Sequence, residues 1–354
     1  MSATPFKDNQ IQSLSMVCPI CGKLLVAKAK SRLTSWLFQN SDCKCAIVPS
    51  MPLSHLNEAD KKELDDSAFN GQNLTKVDLG DRYSVLSCLG KGGNAIVYKV
   101  HDLKLDKTFA VKVLNAELSE NEAARQRFNK EIEAASNLTH ANLVAIYDHG
   151  VTANHTPYLV MDCLEGQTLE EALKQEKHLP PARALNIFIQ ICEALVHMHM
   201  KGIVHRDLKP SNIFLIQLEN ELERVKIVDF GIAKIQPCLD GTQFTQVSEL
   251  LGSPAYMSSE QCMGEHIDHR TDIYSLGSIM YETLTGRNPY YSANPIKCII
   301  NHLENEAELF DIEFNHLKIS RALEKVVLKC LNRDPAFRYQ AVSLLLRDLE
   351  KVRK

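Results

Sequence analysis

The sequence predicts an α+β protein, and three observations predict it. From Tyr83 an alternating run, Tyr83-Ser-Val85-Leu-Ser-Cys88-Leu89, has the period of a half-buried strand, and a second, apolar strand follows at Phe109-Ala110-Val111-Lys112-Val113-Leu114. Helical amphipathic stretches come after them, at Arg127 to Glu133 and, near the chain end, at Ser343 to Glu350. Finally, 354 residues at 45% hydrophobic content suffice to bury a sizeable core.

Composition excludes several classes. With 40 Lys+Arg against 44 Asp+Glu, the net charge of −4 provides no overall basic field for nucleic acid or an anionic membrane, and neither is an expected partner. The most apolar long segment, Leu185 to Met200, is interrupted by Asn186, Gln190 and Glu193. It falls short of the roughly 20 apolar residues that a membrane span needs. Met1 to Gln10 lacks the basic stretch and apolar run of a secretory signal, which makes the cytoplasm the default compartment. Of 11 cysteines, seven (Cys88, Cys163, Cys192, Cys238, Cys262, Cys298 and Cys330) stand singly, mostly among hydrophobic neighbours, which argues against a disulfide scaffold.

The other four form two close pairs, Cys18-Pro-Ile-Cys21-Gly22 and Cys43-Lys-Cys45, with 21 residues between the pairs. Thiolates two or three residues apart can face one ion from a tight turn, Gly22 supplies free backbone for it, and Zn²⁺ is the expected ion. The first pair has the knuckle spacing and the second is tighter by one residue; together they resemble a four-cysteine zinc ribbon within a module at 1–48. Redox-active or merely unpaired thiols in a loose tail are the other reading these residues leave open. Between Cys18 and Cys45, Lys23, Lys28, Lys30, Arg32 and Lys44 are opposed only by Asp42 and form either a small basic face or, more simply, a solvated one. Beyond Pro49 the chain turns polar without periodicity, and a flexible linker is expected at 49–82.

Leu89-Gly90-Lys91-Gly92-Gly93-Asn94-Ala95-Ile96-Val97 continues the first strand as a glycine-rich turn into another strand. Glycines there let backbone N–H groups approach the phosphates of a nucleotide while Val97 covers the base, although a plain hairpin would use the same residues. A lysine in an apolar strand needs a partner, and Glu131, nineteen residues after Lys112 in the helical stretch, is placed to pair with it. That pair would be a plain buried ion pair if no ligand were held.

His205-Arg206-Asp207-Leu208-Lys209-Pro210-Ser211-Asn212 and Asp229-Phe230-Gly231 follow in order, and with them the chain resembles a eukaryotic-type (Hanks-type) protein kinase. It is most similar to the bacterial serine/threonine kinases, whose loop carries the doubled glycine seen at Gly92-Gly93. The resemblance covers Tyr83 to Lys354, 272 residues (354 − 83 + 1). It implies a two-lobed fold: a small lobe of antiparallel sheet plus one helix at about 83–165, a mainly helical large lobe at about 166–354, and ATP between them.

The resemblance also implies roles. Asp207 would accept the proton of an acceptor hydroxyl, Lys209 would neutralise charge on the moving phosphate, and Lys112 with Glu131 would hold the α- and β-phosphates. Asn212 and Asp229 would hold Mg²⁺, since hard oxygen ligands suit that ion. Pro157 to Gly166 resembles the strand and hinge that receive adenine, with Met161, Asp162 and Cys163 bordering the pocket, Ala110 above the ring and Phe214 below. Lys209 favours Ser/Thr acceptors. Asp229 to Glu260 resembles an activation loop, with Thr245 and Ser248 as candidate phosphorylation sites that Arg206 would pair with once modified. Gly252 to Glu260 resembles the segment that seats the acceptor peptide, Asp272 would brace the catalytic loop, and Arg338 would pair with Glu260. Protein substrates are the implied partners, and pairing of two copies for autophosphorylation is a further implication that no residue here marks.

Three positions depart from the family pattern. Ala95 stands for the third glycine of the loop and is expected to weaken nucleotide binding without abolishing it. Ser253 replaces a threonine and keeps the hydroxyl. Ser259 replaces the proline before Glu260 and is expected to free that segment slightly. The competing class is a pseudokinase, a scaffold that binds nucleotide or proteins without efficient transfer; intact Lys112, Asp207, Asn212 and Asp229 count against it. A kinase of small molecules is disfavoured because the peptide-seating segment would have no task.

Overall fold

The computed structural model describes residues 14–17, 24–29, 36–39 and 79–353, except 93–94, 116–121, 137, 153, 219–222, 230–253 and 311–313. It divides the chain into two units, Met1–Asn70 and Gly71–Lys354.

In the first unit, β1 (Leu14–Val17), β2 (Leu24–Ala29) and β3 (Trp36–Gln39) form an antiparallel meander. Val17 pairs with Leu24 and Val26 with Gln39, so the chain leaves β3 at the end of the sheet where β1 ends and β2 begins. Cys18, Cys21, Cys43 and Cys45, and the expected linker as far as residue 78, lie outside the described residues.

The second unit opens with a five-stranded antiparallel sheet in the order β4-β5-β6-β8-β7: β4 (Tyr83–Lys91), β5 (Ala95–Asp102), β6 (Lys107–Leu114), β7 (Ile146–Val151) and β8 (Pro157–Asp162). The period of two sorts each strand's side chains. Phe109, Val111 and Val113 pack with Tyr83, Tyr98, Val100 and Val160 on one face, and Leu79 joins them from within the stretch expected to be linker. Leu114, on the opposite face with Ala110 and Lys112, meets Phe128 and Ile132 of helix α1 (Glu122–Ser136). Alternation therefore turns Lys112 toward the helix side of the sheet rather than into the aromatic core. The strand expected to end at Leu89 runs on to Lys91, with irregular pairing near Val85 and Cys88.

The rest is mainly helical: α2 (Leu169–Glu176), α3 (Pro181–Met200), α4 (Ser259–Met263), α5 (Arg270–Thr285), α6 (Pro295–Glu304), α7 (Arg321–Cys330) and α8 (Val342–Arg353). A small antiparallel sheet of β9 (Gln167–Thr168), β10 (Ile213–Gln217) and β11 (Glu223–Ile227) faces the first lobe. Helix α5 is buried along almost its whole length against α3 and α7, so close to α7 that a Cβ on Gly277 would stand 2.7 Å from the Cβ of Cys330. No helix among the described residues is long and apolar enough to cross a membrane.

The two lobes are joined by more than the covalent chain. Leu143 bridges to Ile227 of β11, Val144 N donates to Ile227 O (3.0 Å), and Ile227 N donates to Asn142 O (2.9 Å). The Asn142 amide donates to Gln190 of α3 and to Val225 O, both at 2.9 Å. Lys226 Nζ donates to Leu143 O at 2.8 Å.

Candidate active site

The glycine-rich turn closes between β4 and β5, where Gly90 pairs with Val97, Lys91 pairs with Ile96, and Gly92 N donates to Ala95 O at 2.8 Å. A Cβ on Gly90 would meet no described atom within 4 Å, which leaves the backbone open to an approaching ligand. Ala95 is buried, and Gly93 and Asn94 lie outside the described residues. Lys91, Ile96 and Val97 flank the turn, and Val97 packs against the large-lobe core. Leu89 is exposed.

Lys112 lies opposite Val97 on one side and Leu159 on the other. Its Nζ donates to Asp229 Oδ1 at 3.0 Å, with Asp229 arriving from the end of β11. The backbone of Glu131 lies within α1, but its side chain is outside the described residues.

The catalytic loop is assembled on a buried carboxylate. Asp272, in the first turn of α5, accepts from His205 N and Arg206 N, both at 2.9 Å, and sits 2.7 Å from His199 Nε2 on α3. Burial pushes the Asp272 carboxyl up, but the His199 hydrogen bond and charge and the His205 backbone hold it below the ordinary range. His205 is wholly buried, which lowers its imidazole pKa; its Nδ1 accepts from Asp207 N and its Nε2 lies 3.3 Å from Val228 O. Asn212 Nδ2 donates to Asp207 O (2.9 Å), Val228 N donates to Asn212 O (3.0 Å), and Lys209 Nζ sits 3.1 Å from Asp207 Oδ2. Backbone and side-chain bonds thus connect Asp207, Lys209 and Asn212 with the segment that carries Asp229. Arg206 and Asp229 both hold left-handed backbone, at φ 63° and 54°, a conformation costly for residues with a Cβ and tolerated where surrounding contacts dictate it.

Between the lobes, Ala110 and Met161 are buried cross-strand neighbours and Cys163 is half-buried, with burial pushing its thiol pKa up. Phe214 is half-buried on β10, opposite Thr168. Asp162 looks the other way. Its N–H donates to Ala145 O (3.0 Å), and its carboxylate accepts from Tyr147 Oη (2.7 Å) and Ala145 N (3.3 Å) and stands 3.7 Å from Lys226 Nζ.

Of the segment expected to seat the acceptor peptide, Gly252 to Glu260, the described part begins with a 3₁₀ turn, Pro254–Tyr256. Ser258 caps α4 in a reciprocal capping box with Gln261, and the Gln261 amide donates to Arg206 O at 2.9 Å, tying this segment to the catalytic loop. Glu260 makes two 2.8 Å bonds to Arg338; burial raises its carboxyl and the guanidinium more than offsets that, leaving it lowered. Ser259, expected to loosen the segment, instead tightens it. Its hydroxyl is buried, accepts from Arg338 Nη2 (3.0 Å) and donates to Arg333 O (2.6 Å), bonds that a proline could not make. Residues 230–253, with Thr245, Ser248 and Ser253, lie outside the described residues; Arg206 Nε is buried without a hydrogen-bond partner among the described residues.

Sequence reasoning did not single out His199, Gln261 or Tyr256. Each acts through a partner distant in sequence, and no local pattern announces such a bond.

A glycine-rich turn, a lysine–aspartate pair and an aspartate–lysine–asparagine loop occur together in one two-lobed fold. The chain matches the family described as protein kinase domain over residues 83–348, and it belongs to that family. It is 38% identical over 276 residues to a probable serine/threonine-protein kinase of Clostridium perfringens, covering 78% of this chain and 39% of that protein. It is 37% identical over 281 residues to the serine/threonine-protein kinase PknB of Mycobacterium leprae, covering 78% of this chain and 44% of that protein. The chain thus spans about two fifths of the length of these relatives. In fold it is similar to the crystal structure of the Mycobacterium tuberculosis PknI kinase domain, with a TM-score of 0.59 and 23% identity over 77% of this chain and 96% of that one.

Proposed function

We propose that this chain is a serine/threonine protein kinase that transfers the γ-phosphate of ATP to protein hydroxyls. The observation that carries the reading is the 3.0 Å Lys112–Asp229 pair across the lobes, set beside a catalytic loop whose Asp207, Lys209 and Asn212 are locked to one another. The oxygen donors of Asn212 and Asp229 fit Mg²⁺, which when bound neutralises phosphate charge. Lys112 holds the nucleotide phosphates, and Ala110, Val97, Met161 and Phe214 offer apolar surface to adenine. Asp207 takes the proton of the acceptor hydroxyl as its oxygen bonds to the γ-phosphorus. The bond from that phosphorus to the β–γ bridging oxygen breaks, and ADP leaves with the electron pair. Lys209 screens the charge of the group in flight. The names of the relatives support Ser/Thr acceptors, and the peptide seat at Pro254 to Glu260 supports a protein substrate.

Two further parts belong to this reading. A second copy of the chain serves as acceptor, with Thr245 or Ser248 modified and paired to Arg206; the buried Arg206 Nε, without a hydrogen-bond partner among the described residues, supports it. Cys18, Cys21, Cys43 and Cys45 hold one zinc ion; the meander register supports it, because the chain enters both cysteine-bearing segments from one end of the sheet.

The experiment is transfer of labelled γ-phosphate from Mg²⁺-ATP to the protein itself and to a generic basic protein, with label mapped by mass spectrometry and metal content measured on the same preparation. Asp207→Asn is expected to lower kcat by about 10²–10⁴, the usual worth of a positioned base, with label on Thr245 or Ser248 and zinc present in the native chain. Native protein that binds ATP yet labels nothing would overturn the kinase reading.

A further inference from the structure

The turn Pro254–Tyr256 hangs from the large lobe by its carbonyls. Asn288 Nδ2 donates to Ala255 O (3.0 Å) and Ser275 Oγ of α5 to Tyr256 O (2.8 Å), while Pro254 O accepts from Met257 N (3.2 Å). Beneath the turn lies His302 of α6, which is 1% exposed. Its Nδ1 is 2.8 Å from Tyr274 Oη of α5, and its ring lies 4.5 Å from Tyr290 and 5.7 Å from Tyr274. Tyr274 in turn carries the Arg338 guanidinium 4.7 Å from its ring centroid, and Arg338 holds Glu260. His302 thus ends a packed column, His302, Tyr274, Arg338, Glu260, that runs beneath the peptide seat. Its other nitrogen, Nε2, is buried without a hydrogen-bond partner among the described residues, and the backbone of Pro254 and Ala255 acts on the ring.

The chemistry assigns the proton. Burial keeps the ring neutral by pulling its pKa down to about 4, so only one nitrogen carries hydrogen. Where the Tyr274 hydroxyl donates to Nδ1, the hydrogen of the neutral ring is on Nε2, and the backbone of Pro254 and Ala255 acting on the ring favours that tautomer.

We propose that His302 is a positioning residue for the acceptor protein: oriented by Tyr274, it sets the height of the Pro254–Tyr256 turn and so the seat of the substrate chain, without touching nucleotide. This rests on the kinase reading above.

The test uses the full chain with Mg²⁺-ATP and a generic basic protein as acceptor. His302→Ala is expected to raise the acceptor KM about tenfold, the order of one lost buried hydrogen bond, with the KM for ATP within about twofold of native. His302→Gln, which keeps a donor at the Nε2 position, restores most of the acceptor KM, and Tyr274→Phe, which frees the ring, shows part of the defect. Hydrogen exchange across 254–263 is measured on the same proteins and should rise in His302→Ala and Tyr274→Phe. If His302→Ala does not fold, Tyr274→Phe and His302→Gln carry the comparison. An unchanged acceptor KM in folded variants, or ATP and acceptor KM rising together, would overturn the proposal. Should native protein transfer no phosphate, the kinase reading falls, and the exchange data still decide whether His302 holds the turn: a rise confined to 254–263 supports that hold, and no rise overturns it.

Discussion

Arg206 and Asp207 lie in one loop and Asp229 just beyond β11, two of the three hold left-handed backbone, and the molecule keeps them there through Asp272, His199 and Asn212. Replacing a member of that support removes a bond from the catalytic backbone rather than a reacting group, so the effects should appear in kcat before they appear in ligand affinity. His302 makes a prediction of its own in pH. Its folded value of about 4 lies below the ordinary 6.5, so between the two the unfolded chain binds more protons. Stability from this residue is therefore complete above pH 6.5 and falls as pH drops toward 4. By pH 5 the loss from this residue alone is about 2 kcal/mol. Denaturant titrations at pH 7 and pH 5 should show His302→Gln losing that much less than native; equal losses in both would show that the ring is not held neutral. Asp272 works in a separate window: its lowered carboxyl contributes above its ordinary 3.8 and loses that contribution only in stronger acid.

At the scale of elements, backbone approach decides what side chains can be present. Gly166 enters the large lobe at φ +154°, and a Cβ there would sit 2.4 Å from Leu215 O on β10, with backbone on every near side. Gly166→Ala must push β9 from β10 and is expected to cost more than the ~1–3 kcal/mol of an ordinary destabilising change, read as a thermal midpoint lowered by several degrees. Gly166 was legible only as the place where the hinge ends; the close approach of β10 was not, because that contact spans 49 positions (215 − 166). Elements with a clean period were readable: Phe109 to Leu114 as a strand, Arg127 to Glu133 as part of α1, Ser343 to Glu350 as part of α8. The strand β7, Ile146–Val151, carries Asp148, His149 and Gly150 and alternates only half-buried with exposed, so no apolar signal marks it. Ser259 misled for a related reason. A serine looks permissive by backbone propensity, and only the buried guanidinium of Arg338 makes it a clamp. Lys112, Asp207, Asn212 and Asp229 could be picked out because the resemblance to the family carries their order and spacing along the chain.

The whole molecule depends on a few buried polar joints between distant segments. Arg338 connects α4, the start of α5 and the segment before α8 through Glu260, Arg270 O and Asn332 O. Arg338→Ala leaves the Glu260 carboxylate buried and unpaired, at a cost of about 3–5 kcal/mol. Chemical denaturation should find it, and a loss below about 1 kcal/mol would mean the carboxylate finds another cation. The other joint is the one at Asn142 to Val144, where the small lobe hydrogen-bonds to β11 on the large one. That attachment lies just before β7, the edge strand farthest from the β4–β5 glycine turn. Any rotation of the sheet about Asn142 to Val144 would therefore displace the glycine turn more than the residues beside the joint.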